Sequence, residues 1–171
     1  MSLVGFKARN HPQQRRNPAV DDRGTTWEMF NPLHERYGFT IDVAAQPHNA
    51  KLPRFFTPED DGLAQSWRGE RVWCNPPYSD IRPWVEKAHA GAARLVVMLL
   101  PANRTEQGWW QEFIEPFRDL DSHAPNFLTI KFLPGRPRFV RVGSETVGPN
   151  ERPPFGCCLA VWSNVGWENA T

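Results

Sequence analysis

Cysteine is scarce in this 171-residue chain, with three in all: Cys74, Cys157 and Cys158. Two adjacent cysteines and one distant one are no disulfide framework, which points to a reducing compartment. Five histidines (His11, His34, His48, His89, His123) are scattered, and no Cys/His spacing suits zinc, so no metal is expected. An excess of charge of one sign is also missing. Twenty Lys and Arg face 19 Asp and Glu, a formal net charge of +1, so the whole-molecule charge gives no argument for nucleic acid. A local basic patch depends on distribution and stays open. Long apolar runs are absent. The N-terminus lacks the apolar core of a signal peptide, and no segment could span a bilayer. The expectation is a cytoplasmic protein with no membrane partner. No internal repeat occurs, and the length fits one domain. Seventeen prolines and eight tryptophans predict instead a loop-rich fold with aromatic packing.

Residues 1–24 are polar, with Lys7, Arg9, Arg15, Arg16 and Arg23 against Asp21 and Asp22. Two readings stand: a disordered tail by composition, or a flexible basic arm lying along phosphates. A single domain follows over 25–171. Thr25-Thr26-Trp27-Glu28 has the capping-box pattern of a helix start. Pro32 cannot lie deep in a helix without a kink, and Asn31-Pro32 itself reads as an N-cap and first helical position. A kinked helix or two short ones, ending at Gly38, are therefore predicted. Strands are predicted over 39–44 and 71–74, with 45–69 irregular apart from a short strand at Phe55-Phe56-Thr57. Ser79 or Asp80 would cap the next helix, which places Ile81, Trp84, Val85, Ala88 and Ala92 on one face. The run from Leu95 to Leu100 reads as a central strand covered on both sides. A helix over 107–117 and strands over 127–133 and 157–162 complete the pattern. Alternating strands and helices followed by two late strands predict an α/β sheet with an antiparallel hairpin at its edge.

Asn75-Pro76-Pro77-Tyr78 falls between a predicted strand and a predicted helix, at the carboxyl end of a strand where open α/β sheets bind ligands. Two prolines fix the loop and remove its donors, leaving carbonyl acceptors. Such acceptors suit a planar aromatic amine, whose lone pair is delocalised into the ring. The Asn75 side-chain oxygen and the Pro76 carbonyl, aimed at the two amine hydrogens, would localise that lone pair, each bond supplying roughly 1–3 kcal/mol where it strengthens in the transition state. Tyr78 offers a flat face for a base turned out of its helix. The alternative is a plain strand-to-helix turn, since Asn and Pro are common turn residues. Cys74 precedes this loop and reads as a buried strand residue, not a nucleophile.

These residues resemble the phage-type DNA N6-adenine methyltransferase family, the Dam family of phages and prophages. The matching blocks are Thr25 to Phe30, Gly38 to Ala45, Asn49-Ala50-Lys51, Phe56 to Leu63, Trp73 to Tyr78, Trp84 to Ala88 and Met98 to Pro101. The resemblance implies a site-specific, adenine-specific DNA methyltransferase using S-adenosyl-L-methionine, with double-stranded DNA as partner. It implies a catalytic loop of Asn75, Pro76, Pro77 and Tyr78. It also implies a cofactor site including Thr25, Thr26, Trp27, Asp42, Ala44, Asp60, Asp61 and Asn75. The glycine-rich turn usual after the first strand is absent, with Val43-Ala44-Ala45-Gln46-Pro47 in its place. The stretch from Asp42 to Arg71 is too short for two complete strand–helix units. The expected fold is thus a reduced Rossmann-like methyltransferase, its sheet mostly parallel with an antiparallel hairpin at the edge.

No length remains for a separate recognition domain, so DNA would be held by loops, by the N-terminal arm or by the second subunit of a homodimer. Arg104 and Trp109, in the stretch after the central strand, are one candidate, with helix packing the alternative for the tryptophan. Arg136 and Arg138 on the late hairpin are another, pairing with phosphate, or else a merely solvated hairpin. Other planar amines (cytosine N4, an RNA base, a protein glutamine) and a non-catalytic phage DNA-binding module are the competing functions.

Overall fold

A computed structural model describes residues 23–118, 120, 127–141 and 153–164. Among the described residues seven strands and three helices follow one another: β1 (Arg23–Thr25), α1 (Trp27–Tyr37), β2 (Ile41–Asp42), β3 (Arg71–Cys74), α2 (Arg82–His89), β4 (Leu95–Pro101), α3 (Gly108–Phe113), β5 (Phe127–Phe132), β6 (Phe139–Arg141) and β7 (Cys157–Ser163). The main sheet has the order β2-β3-β4-β7-β5. β2, β3 and β4 run parallel, while β7 is antiparallel to both β4 and β5. Four of its five strands, β2, β3, β4 and β5, therefore run in one direction, and β7 runs against them. The two late strands do pair antiparallel, but β7 sits inside the sheet and β5 takes the edge. A smaller sheet pairs β1 with β6, Thr25 opposite Phe139. It gives Arg23 and Gly24, assigned from sequence to the arm, a place in a strand, while residues 1–22 lie outside the described residues.

Strand periodicity explains the layers. All seven residues of β4 are buried, and alternate side chains go to opposite faces. Val96, Met98 and Leu100 join Val72, Cys74, Cys158 and Ala160 in one core, closed by Ile81, Val85 and Ala88 of the α2 segment and by Trp109, Trp110 and Ile114 around α3. Leu95, Val97 and Leu99 join Trp73, Leu159 and Val161 on the other side, beneath Phe30 of α1. A run with no polar position is what such double coverage requires.

The helix boundaries depart from the sequence pattern for local reasons. Thr26, not Thr25, caps α1, accepting the Met29 N–H at 3.4 Å. Thr25 is taken by β1. α1 runs through Pro32 as one element and stops at Gly38, whose φ of 59° is the left-handed conformation favoured by glycine. α2 begins after Ile81 with no side-chain cap, so neither Ser79 nor Asp80 serves. Ala92 lies past the end of α2 and is exposed. β2 is only two residues long, and the expected strand at Phe55 reduces to a single parallel bridge with Asp42. Gly62 lies against the chain leaving β2. A Cβ there would come within 2.2 Å of the Val43 carbonyl oxygen, so no other residue fits without displacing backbone. Among the described residues no helix is long and apolar enough to cross a membrane, and no cluster of His, Cys, Asp and Glu could hold a metal ion.

Candidate active site

The parallel strands β2 and β3 bring Asp42 and Asn75 to the same end of the sheet. Asp42 pairs in register with Trp73, two residues before Asn75. β1 closes this end from the side. The result is an open cleft lined by Gly24, Thr25, Asp42, Ala44, Asn49, Lys51, Trp73 and Asn75. Thr25, Asp42, Ala44 and Asn75, four residues singled out from the sequence, thus share one cavity. Asn49, Lys51, Gly24 and Trp73 were given no role. The available signals were the Asn49-Ala50-Lys51 block, which carries a cation and an amide within reach of the strand end, and the block that begins at Trp73.

Asp42 is 3% exposed. Its Oδ2 accepts the Lys51 N–H at 3.0 Å, and its Oδ1 accepts the Ala44 N–H at 3.5 Å. The carboxylate therefore ties the start and end of the 43–51 loop to the end of β2. Burial raises its pKa to about 6, opposed by those two amides and by the Lys51 charge. Burial likewise lowers the pKa of Lys51, with Asp42 acting the other way. The Lys51 ammonium lies 4.5 Å from the centroid of the Trp27 ring, a cation–π arrangement. Trp27 is 54% exposed at this rim. Thr25 is buried, and its Oγ1 has no hydrogen-bond partner among the described residues, which is uncommon for a buried hydroxyl.

The Asn75–Tyr78 loop is held from distant parts of the chain. The half-buried Tyr78 hydroxyl donates to the Leu99 carbonyl at 3.3 Å and lies 3.9 Å from the Cys157 sulfur. Its ring meets Phe139 edge-on at 6.4 Å centroid separation and lies tilted to Phe155 at 6.1 Å. Burial, then the neighbouring Cys157, raises the phenol pKa well above its usual value, so the hydroxyl stays a donor. Arg104 donates from Nη1 to the Tyr78 carbonyl at 2.6 Å. Its guanidinium is thus engaged with the loop. Pro76 is buried. Cys74 is fully buried, and burial, then the charge of Asp42, pushes its thiol pKa well up, which matches a packed strand residue.

The other expected site residues lie elsewhere. Asp60 accepts the Thr57 N–H and hydroxyl, both at 2.9 Å. Asp61 accepts the Leu63 and Ala64 N–H groups at 3.2 and 3.3 Å, with a positive φ of 52°. Both are exposed and neither lines the cleft. Trp109 is 4% exposed in the core, its indole N–H given to Gln107 at 2.7 Å, so packing accounts for it. Arg136 and Arg138 are exposed on the β5–β6 connection.

Known proteins bear on this arrangement. Residues 13–148 match the family described as DNA N-6-adenine-methyltransferase (Dam), and the chain belongs to that family. It is 37% identical over 81 residues to the DNA N-6-adenine-methyltransferase of Haemophilus phage HP1 (strain HP1c1), covering 44% of this chain and 47% of the relative. It is 32% identical over 111 residues to the protein of the same name from Escherichia phage T1, covering 63% of this chain and 44% of the relative. The matched region spans about half the length of these relatives or slightly less.

Proposed function

We propose that this chain transfers the methyl group of S-adenosyl-L-methionine to the exocyclic N6 amine of adenine in double-stranded DNA, the base being turned out of the helix. The observation that carries this reading is the placement of Asn75, in a loop anchored at Tyr78, on the wall of a polar cleft at the carboxyl ends of parallel strands. The strand order, with β7 reversed inside parallel neighbours, supports the reduced Rossmann-like reading.

The cleft residues fit this cofactor. A carboxylate, an ammonium and an unpartnered buried hydroxyl suit an amino-acid zwitterion. Thr25, Asp42, Lys51 and Asn75 would hold one end, with Thr26 and Trp27 at the rim. Bound there, the cofactor supplies an already activated methyl group on a sulfonium. The protein's work is then alignment. Asn75 Oδ1 and the Pro76 carbonyl accept the two amine hydrogens, which concentrates the lone pair on nitrogen. Tyr78, fixed through its hydroxyl, would offer a ring face to the base. Pro77 stiffens the loop. The proton released on transfer leaves from the amine towards these acceptors and solvent. Arg136 and Arg138 face solvent where phosphates would pair with them. The phage relatives support a site of action in the bacterial cytoplasm.

The test uses labelled S-adenosyl-L-methionine with duplex DNA, RNA and protein in separate reactions, followed by digestion. Label in N6-methyladenine from DNA is the expected product. Label in cytosine, RNA or glutamine would replace the substrate, and no transfer together with no cofactor binding would overturn the enzyme reading.

A further inference from the structure

The cleft holds a cation with no carboxylate within ion-pair distance. Lys51 makes no salt bridge among the described residues; its ammonium lies over the Trp27 ring. Its backbone N–H is bound to Asp42 Oδ2, so the residue is fixed at the strand end while the side chain reaches the rim. Asp42 is the opposite charge on the same wall, and Thr25, with its unpartnered Oγ1, lies beside them. One acid, one base and one free hydroxyl on a single cleft wall complement a zwitterion. An adenine ring would call for apolar or aromatic walls, whereas five of the eight lining residues here are polar or charged: Thr25, Asp42, Asn49, Lys51 and Asn75.

We propose that Lys51 recognises the α-carboxylate of S-adenosyl-L-methionine, with Asp42 facing its α-ammonium, so that this cleft seats the methionine end of the cofactor. The assignment rests on the methyl-donor reading of the preceding section. The sulfonium must lie near Asn75 for transfer, and Asn75 lines the same cleft, so the amino-acid end and the reacting centre are placed within one short reach. The rest of the cofactor then extends out of the cleft past the exposed Trp27. Cation–π contact with Trp27 orients the ammonium without neutralising it, which leaves its charge available to an anion. Lys51 thereby becomes the residue that distinguishes carboxylated from decarboxylated cofactor.

Calorimetry on the full chain tests this with three ligands: S-adenosyl-L-methionine, S-adenosyl-L-homocysteine and decarboxylated S-adenosylmethionine. Wild-type protein is expected to bind the first two at least tenfold more tightly than the decarboxylated compound. Lys51→Met keeps the apolar stem and removes the charge. It should weaken the carboxylated ligands about tenfold, leave the decarboxylated one within twofold and so close the gap, while Lys51→Arg restores most of it. Melting temperatures of the variants report whether they fold. Equal binding of all three ligands by the wild type would overturn the Lys51 assignment alone, and that arm needs no variant. Equal weakening of all three by Lys51→Met in a folded protein would overturn it too. Absence of binding by any of the three to the wild type would overturn the donor reading and this assignment together.

Discussion

The loop at 75–78 and the two carboxylates of the loop at 57–64 contrast in how their polar groups are satisfied. In the first, the partners come from far along the chain. Leu99 accepts from Tyr78, Arg104 donates to its carbonyl, and Phe139 and Phe155 flank its ring. In the second, Asp60 and Asp61 bond to Thr57, Leu63 and Ala64 of the same loop. Both loops carry residues that pattern or resemblance marked as functional. The 57–64 loop is also held from outside, since Lys87 donates to the Leu63 carbonyl at 2.7 Å and Gly62 lies against Val43, but the bonds of its two carboxylates are spent within the turn. Long-range bonds place the 75–78 loop against the rest of the fold, as alignment for methyl transfer requires.

That contrast can be broken by substitution. Asn75→Ala should reduce methyl transfer by about 100-fold or more, while cofactor affinity measured by calorimetry stays within a few-fold. Surviving turnover would show that the anchored loop is only a turn. Arg104→Met should lower kcat about tenfold and cost roughly 1–2 kcal/mol of stability in a denaturant titration, as expected for losing a charge-assisted bond to a half-buried carbonyl. If Arg104 acted only on phosphate, the change would instead appear as weaker DNA binding with an altered salt slope.

Asp42 sharpens the comparison through pH. Its carboxyl titrates at about 6 because burial disfavours the charge. The ionised form is the one that attracts an α-ammonium. Cofactor affinity should therefore be full above pH 6 and fall about tenfold per unit as pH drops below it. Asp42→Asn should give weaker, flat binding across that range. Stability runs the opposite way. The folded pKa lies above the unfolded one, so protonation favours the folded state: this group's penalty is absent below the unfolded value of 3.8, grows as pH rises, and is complete above about 6. The smallest effect belongs to the carboxylates bonded within their own turn. Asp60→Asn should change cofactor binding and activity less than twofold, since its carboxylate is exposed and bonded to Thr57; a tenfold loss would return it to the site.

Much of the fold was legible because burial writes itself into composition. The uninterrupted Leu95–Leu100 run reads as a strand covered on both faces, and it is one. The β1–β6 sheet was not legible, because each strand has three residues and the partners lie far apart in the chain. Its consequence for the site is large, since it brings Gly24 and Thr25 to the cleft. Trp109 and Arg104 show the ambiguity of aromatic and basic residues near a strand end. The sequence places them beside the site, but only the three-dimensional packing assigns one to the core and the other to the Tyr78 carbonyl. Lys51 carried too little signal alone, because a single lysine in an irregular stretch reads as solvated until the chain folds it against Asp42 and Trp27.

The central claim is that the anchored Asn75 loop methylates adenine in DNA. Nucleoside mass spectrometry on DNA from a methylation-deficient bacterial host expressing either wild-type protein or Asn75→Ala tests it most directly. The account predicts N6-methyladenine with the wild type and background levels with the variant. Equal N6-methyladenine in both, or none with a soluble, cofactor-binding wild type, would contradict it.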